Sequence, residues 1–146
     1  MKALAIFLLC LCTTHVSIGQ MLKPVEWSFE VKPIEEGVYE FIATAQIDDK
    51  WAIYSQHTGE GGPFPLEFTY DNNVSLIGNT LEESIPIKKM SELFEIEVIK
   101  FEKKAVFTQK FKPTGDNKSF SGTLQFMCCD NLRCLPPTDV EFDVAF

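Results

Sequence analysis

Apolar residues recur at every second position in one segment after another, and that period admits β-strands and little else. Val25, Trp27, Phe29 and Val31 alternate with Glu26, Ser28 and Glu30, and Tyr39, Phe41, Ala43, Ala45 and Ile47 repeat the pattern beyond Glu35-Glu36-Gly37. Successive side chains on a strand point to opposite faces, so each run is a half-buried strand, and the two are read as a hairpin. Trp51 to Tyr54, Leu66 to Tyr70 and Val74 to Ile77 read as shorter strands, and Pro86 confines Leu81 to Met90 to an edge or a loop. The glycines and prolines of Ser55 to Pro65 mark a long exposed loop. Phe94 to Phe101 and Ala105 to Phe111, either side of Glu102-Lys103-Lys104, are expected to form another hairpin. The alternation returns in Phe120, Gly122, Leu124 and Phe126 and in Val140, Phe142, Val144 and Phe146. No stretch sustains a helical period. About eight or nine short strands with regular turn signals predict an all-β fold, an antiparallel immunoglobulin-like β-sandwich in one domain.

The 146-residue chain is long enough to bury its own core. Met1-Lys2, the apolar run Ala3 to Cys12 and the small residues Ser17-Ile18-Gly19 fit a secretory signal over residues 1–19, cleaved to leave residues 20–146 as the domain. The run is too short to span a bilayer, so an exported protein with no stable membrane insertion is expected. Residues 1–19 hold one of the 13 Lys and Arg and none of the 21 Asp and Glu, so their loss takes the formal charge from −8 to −9. That balance argues against nucleic acid as a partner.

Beyond residue 19 every cysteine lies in Cys128-Cys129-Asp130-Asn131-Leu132-Arg133-Cys134, at the tip joining the last two strands. Strand phase continues Cys128 along the apolar row of Leu124 and Phe126, and Cys129 along the row of Thr123, Gln125 and Met127. Cys129 is therefore the cysteine expected to be accessible. A four-residue connection, Asp130 to Arg133, would set Cys129 opposite Cys134 at disulfide distance, whereas a Cys128–Cys134 bridge would need a bulge. Such a pair serves either as a hairpin staple or as a redox couple. Arg133 favours a thiolate and Asp130 opposes one, so the neighbouring charges do not decide between them. Zinc needs four ligands, and beyond these cysteines only His57 is on offer after residue 19, so no metal or cofactor is expected. His57 is read as a solvated loop residue, and Trp51, Tyr54, Phe64 and Phe68 as core and loop anchors.

Trp27-Ser28-Phe29, the segment Trp51 to Gln56 followed by Gly61-Gly62-Pro63, and above all Cys129-Asp130-Asn131-Leu132-Arg133-Cys134-Leu135-Pro136-Pro137-Thr138 resemble the N-terminal periplasmic domain of the thiol:disulfide interchange protein DsbD. The resemblance covers nearly all of the chain after residue 19. It implies an immunoglobulin-like sandwich in the periplasm, acting as a component of a protein-disulfide reductase. Cys129 and Cys134, with Cys128 as the alternative to Cys129, would pass electrons from a thioredoxin-like or membrane donor to periplasmic thiol-disulfide proteins. It also implies a cap loop shielding the disulfide, for which Ser91-Glu92-Leu93-Phe94-Glu95 is the matching segment, with Phe94 as the shielding residue and Leu93 as the second choice. Enteric members of the family space their cysteines as Cys128 and Cys134 are spaced here. The full-length family protein continues into a membrane domain and a thioredoxin-like domain, so electrons are expected to arrive from another polypeptide. The competing reading is a non-catalytic β-sandwich that binds proteins through its loops and keeps a structural hairpin disulfide.

Overall fold

The computed structural model describes residues 22–72 and 74–146, so the proposed signal segment over residues 1–19 lies outside the described residues. Among the described residues eleven strands follow one another: β1 (Val25–Glu35), β2 (Val38–Ile47), β3 (Ala52–Tyr54), β4 (Glu67–Tyr70), β5 (Val74–Glu82), β6 (Ile87–Met90), β7 (Glu97–Phe101), β8 (Lys104–Pro113), β9 (Ser119–Phe126), β10 (Cys128–Cys129) and β11 (Thr138–Ala145). They form three antiparallel sheets, ordered β1-β2-β8-β5, β10-β3-β7-β6 and β11-β9-β4. The architecture is the all-β, immunoglobulin-like sandwich that the alternation predicts.

Hairpin β1-β2 turns at Gly37, whose φ of 69° is one that glycine adopts without steric cost. Its inward row meets the other sheets through aromatic rings. Phe41 lies 4.8 Å from Phe120 and 4.7 Å from Phe142 between ring centroids, and Phe101 meets Phe107 edge-on at 5.6 Å. A single main core thus joins Phe41, Ala43, Ala45, Phe107 and Phe111 of the first sheet to Ile53 and Phe101 of the second and Phe120, Leu124 and Phe142 of the third. Where the β9 row reaches Gly122, a Cβ would come within 2.2 Å of the Thr69 carbonyl oxygen and 2.8 Å of Phe142 Cζ. Only glycine lets β4 and the Phe142 ring close on β9 there.

The expected hairpin between Phe94 to Phe101 and Ala105 to Phe111 does not form. β7 pairs with β3 and β6, whereas β8 pairs with β2 and β5. Glu102-Lys103 is a crossover between sheets: Lys103 takes a φ of 66°, and its carbonyl accepts from Ile47 N at 2.8 Å. With Phe101 and Phe107 facing each other across the core, the two strands lie on opposite layers rather than side by side. β5 also runs further than expected, through a register shift between Ile77 and Leu81 where Gly78 has a φ of 69°. Gln109, 1% exposed, fills that irregularity: Nε2 donates to the Ile77 carbonyl at 3.2 Å, and Oε1 accepts from Thr80 Oγ1 at 2.9 Å.

Candidate functional site

At Phe126 the chain leaves the third sheet. Met127 carries it across to the second sheet, where Cys128 and Cys129 pair with Ile53 and Ala52, and it rejoins β9 only at Thr138. The excursion is held at its tip by Asp130, whose Oδ1 accepts from the backbone N–H groups of Leu132 and Arg133 at 2.7 and 2.8 Å. An aspartate side chain closing a turn in this way is well suited to a tight connection. Those two donors, with the nearby Arg133 guanidinium, hold the Asp130 carboxyl below its ordinary value. Leu135 N donates to the Cys128 carbonyl at 2.9 Å, Cys134 falls opposite Cys129, and a disulfide joins Cys129 to Cys134 with a Cα–Cα distance of 4.0 Å.

Cys128 and Cys129 face different environments, as their adjacency on a strand requires. Cys128 is a free, buried thiol in the main core beside Phe126. Burial pushes its pKa up to about 11, so at neutral pH it remains protonated and is a poor nucleophile. Cys129 belongs to a separate cluster with Tyr54 and Val98, against which Phe94, Ile96, Met127 and Cys134 pack. Burial, and secondarily Cys128, push the Tyr54 phenol above its ordinary value.

The expectation that Cys129 would be accessible is corrected: it is 2% exposed, and Cys134 is the half-buried member of the pair. Strand phase identified the face that Cys129 occupies. It did not reveal that β10 would move under side chains from β3 and β7 and the segment between β6 and β7.

That segment is a compact turn. Ser91 N donates to the Ile96 carbonyl at 2.8 Å, Glu95 N donates to the Ser91 carbonyl at 2.9 Å, and Glu95 takes a φ of 57°. Phe94 is half-buried in the Cys129 cluster, whereas Leu93 is 48% exposed at the rim of a cleft. The glycine-rich loop after β3 abuts the same turn, since a Cβ on Gly62 would lie 2.9 Å from Ile96 Cδ1. Thr58 Oγ1 and Ser55 N both donate to the Ile99 carbonyl at 2.9 Å and pin the start of that loop to β7. His57 is exposed, and so is Phe64, which does not anchor the core. Beside the disulfide the cleft encloses ≈ 230 Å³, with Ala52, Tyr54 and Val98 among its lining residues. Ile96, Val98 and the basic residues of this cleft were not singled out from the sequence. The same-face register of Cys129, Ala52, Tyr54, Lys100 and Val98 becomes readable only once the strand pairing is known.

The arrangement is a short-loop disulfide beneath a turn that carries an aromatic side chain, and known proteins contain a similar domain. Residues 19–145 match the family described as thiol:disulfide interchange protein DsbD, N-terminal. Among solved structures, the N-terminal periplasmic domain of ScsB from Proteus mirabilis superposes with a TM-score of 0.61 at 21% identity, over 83% of this chain and 45% of that one. The Neisseria meningitidis DsbD N-terminal domain in its reduced form superposes with a TM-score of 0.55 at 18% identity, over 81% of this chain and 84% of that one. The chain thus spans under half the length of the ScsB chain it resembles. No curated protein sequence matches it. The two superpositions show a shared fold, and the match over residues 19–145 shows descent: this chain belongs to the DsbD N-terminal domain family of thiol-disulfide exchange domains.

Proposed function

We propose that this domain is an exported, periplasmic electron carrier and the working part of a disulfide reductase. In this reading residues 1–19 are a cleaved signal, and residues 20–146 pass reducing equivalents from a thioredoxin-like or membrane donor to periplasmic thiol proteins through Cys129 and Cys134. The observation that carries it is the seating of the disulfide: it lies outside the main core, in a small cluster of its own against which Phe94 packs. A staple has no need of such a cover. A bond that must wait for its partner does, because access is one determinant of exchange rate. The donor's thiolate attacks one sulfur, the other leaves as thiolate, and the donor's second cysteine then resolves the mixed disulfide, leaving the donor oxidised and the Cys129–Cys134 pair reduced; an oxidised substrate is reduced in the same two steps with Cys129 and Cys134 as attacking and resolving thiols.

Removing the resolving cysteine traps the intermediate. Cys129→Ala, which keeps the more exposed Cys134, is expected to accumulate a covalent adduct with a thioredoxin-like donor that retains one active-site cysteine and is supplied as its mixed disulfide with thionitrobenzoate: the Cys134 thiolate bonds to the donor sulfur as thionitrobenzoate leaves, and the adduct is visible on a non-reducing gel and dissolved by reductant. If neither Cys129→Ala nor Cys134→Ala captures a donor, the carrier reading fails and the structural hairpin disulfide stands.

Phe94→Ala tests the cover. Phe94 is half-buried and outside the main core, so its truncation should cost about 1–2 kcal/mol, below the full burial value of a phenylalanine. Reduction of the disulfide by dithiothreitol, followed by stopped flow, should become severalfold faster. Leu93→Ala, at the exposed rim, should change it less. Equal rates for wild type and Phe94→Ala would remove Phe94 from the site.

A further inference from the structure

We infer that the cleft beside the disulfide selects thiols carrying negative charge near the sulfur, so that the natural partner presents its cysteine next to a carboxylate. This deepens the exchange reading and rests on it. The chain as a whole is acidic, with a formal charge of −8, yet the cleft that reaches Cys129 is lined by Lys50, Lys89 and Lys100 against Glu92 and Asp130. The two acids are not equivalent. Asp130 is engaged by two backbone N–H groups and lies 3.8 Å from Arg133 Nε, so its charge is largely answered within its own turn. Lys100 Nζ is 2.7 Å from Glu102 Oε1. Among the described residues Lys50 and Lys89 have no acidic partner within ion-pair distance, which leaves two free cations facing one free acid, Glu92.

Lys50 is held at a φ of 73°, a left-handed conformation that costs a non-glycine residue energy and that persists where the surroundings impose it. It follows Asp48 and Asp49, which do not line the cleft but lie within the same screening length and offset part of its positive charge. Lys89 projects from edge strand β6 on the same face as Val98, its register partner on β7. A partly enclosed site lined by unanswered charge concentrates counter-charged reactants, and the effect reaches about 8–10 Å at ordinary ionic strength. The selectivity therefore does not depend on which sulfur is attacked.

The test uses the oxidised full chain and three small thiols that differ in charge: 2-mercaptoethanesulfonate, 2-mercaptoethanol and cysteamine. One thiolate bonds to a protein sulfur as the S–S bond breaks and the other sulfur leaves as thiolate. A second thiolate then displaces the protein from the mixed disulfide. Two probe thiols become one probe disulfide, and the Cys129–Cys134 pair gains two electrons and two protons.

With rates expressed per thiolate, the anionic probe should exceed the cationic one by on the order of tenfold at low salt, with the neutral probe between them. That ratio should collapse toward one in about 0.5 M salt and in Lys50→Ala/Lys89→Ala. Equal rates for all three probes, or a preference for cysteamine, would overturn the inference while leaving exchange intact. If no probe opens the bridge even in Phe94→Ala, the exchange reading falls and this inference with it.

Discussion

Replacing both Cys129 and Cys134 with alanine should abolish electron transfer from a reduced thioredoxin-like donor while lowering stability by only about 2 kcal/mol, the loop-entropy value for so short a closed loop. The bridge spans a sequence separation of 5, so it restricts few residues of the unfolded chain. The tip also has supports besides the disulfide: the Asp130 side chain, the Asp130 N to Arg133 carbonyl bond and the Leu135 N to Cys128 carbonyl bond. Alanine is the appropriate replacement because Cys129 is 2% exposed, and a serine hydroxyl there would be buried among apolar groups at a cost of about 1–3 kcal/mol if left unpaired. Urea unfolding and donor oxidation, measured on the same preparation, separate the two roles. A variant that transfers nothing yet unfolds cooperatively near the wild-type midpoint supports the carrier. A variant that cannot fold makes the disulfide structural.

What could be read from the chain, and what could not, follows from the range of the signal. Alternation is local, so it located β2, β8, β9 and β11 within a residue or two, placed the start of β1 but ended it four residues short at Val31, and put Phe41, Phe107, Phe120 and Phe142 on the core side. Sheet membership is not local. The segments 97–101 and 104–113 both read as strands with a plausible turn between them, and only the facing of Phe101 and Phe107 across the core shows that the chain changes layer at Lys103. β10 is two residues long, too short for any periodicity, and is defined by its pairing with Ile53 and Ala52. The site divides in the same way. The cysteines are conspicuous in the sequence, and their strand phase correctly separated Cys128 from Cys129. The burial of Cys129 depends on Tyr54, Phe94 and Val98, all of which lie at least 31 residues before it. Phe94 and Leu93 were reachable only through the family resemblance. Lys50 and Lys89 reached the cleft through strand pairing that nothing in the sequence announces.

Phe41→Ala should be the most damaging single truncation in the core, with a loss of about 3–5 kcal/mol against a total of about 5–15 for a domain of this kind. Phe41 is 1% exposed, and its ring centroid lies 5.9 Å from Phe29, 6.3 Å from Phe68, 6.3 Å from Tyr70, 4.8 Å from Phe120 and 4.7 Å from Phe142. Those partners come from β1, β4, β9 and β11, so one side chain on β2 joins its own sheet to the opposite layer. The surrounding rings are anchored on separate strands and can collapse only partly into the space left behind, which places the cost toward the upper part of that range. A domain this size loses roughly 3–5 °C of melting temperature per kcal/mol, so thermal unfolding should shift down by about 10–20 °C. Phe41→Leu, which keeps most of the volume, should cost less than half as much. The disulfide cluster is separate from this core, so Phe41→Ala, measured well below its transition, should be reduced by dithiothreitol at the wild-type rate. Phe94→Ala should show the opposite pattern, with a faster rate and a small shift in melting temperature. A shift of only a few degrees for Phe41→Ala would show that the two layers are joined elsewhere, and a faster reduction at full foldedness would show that the two clusters are coupled.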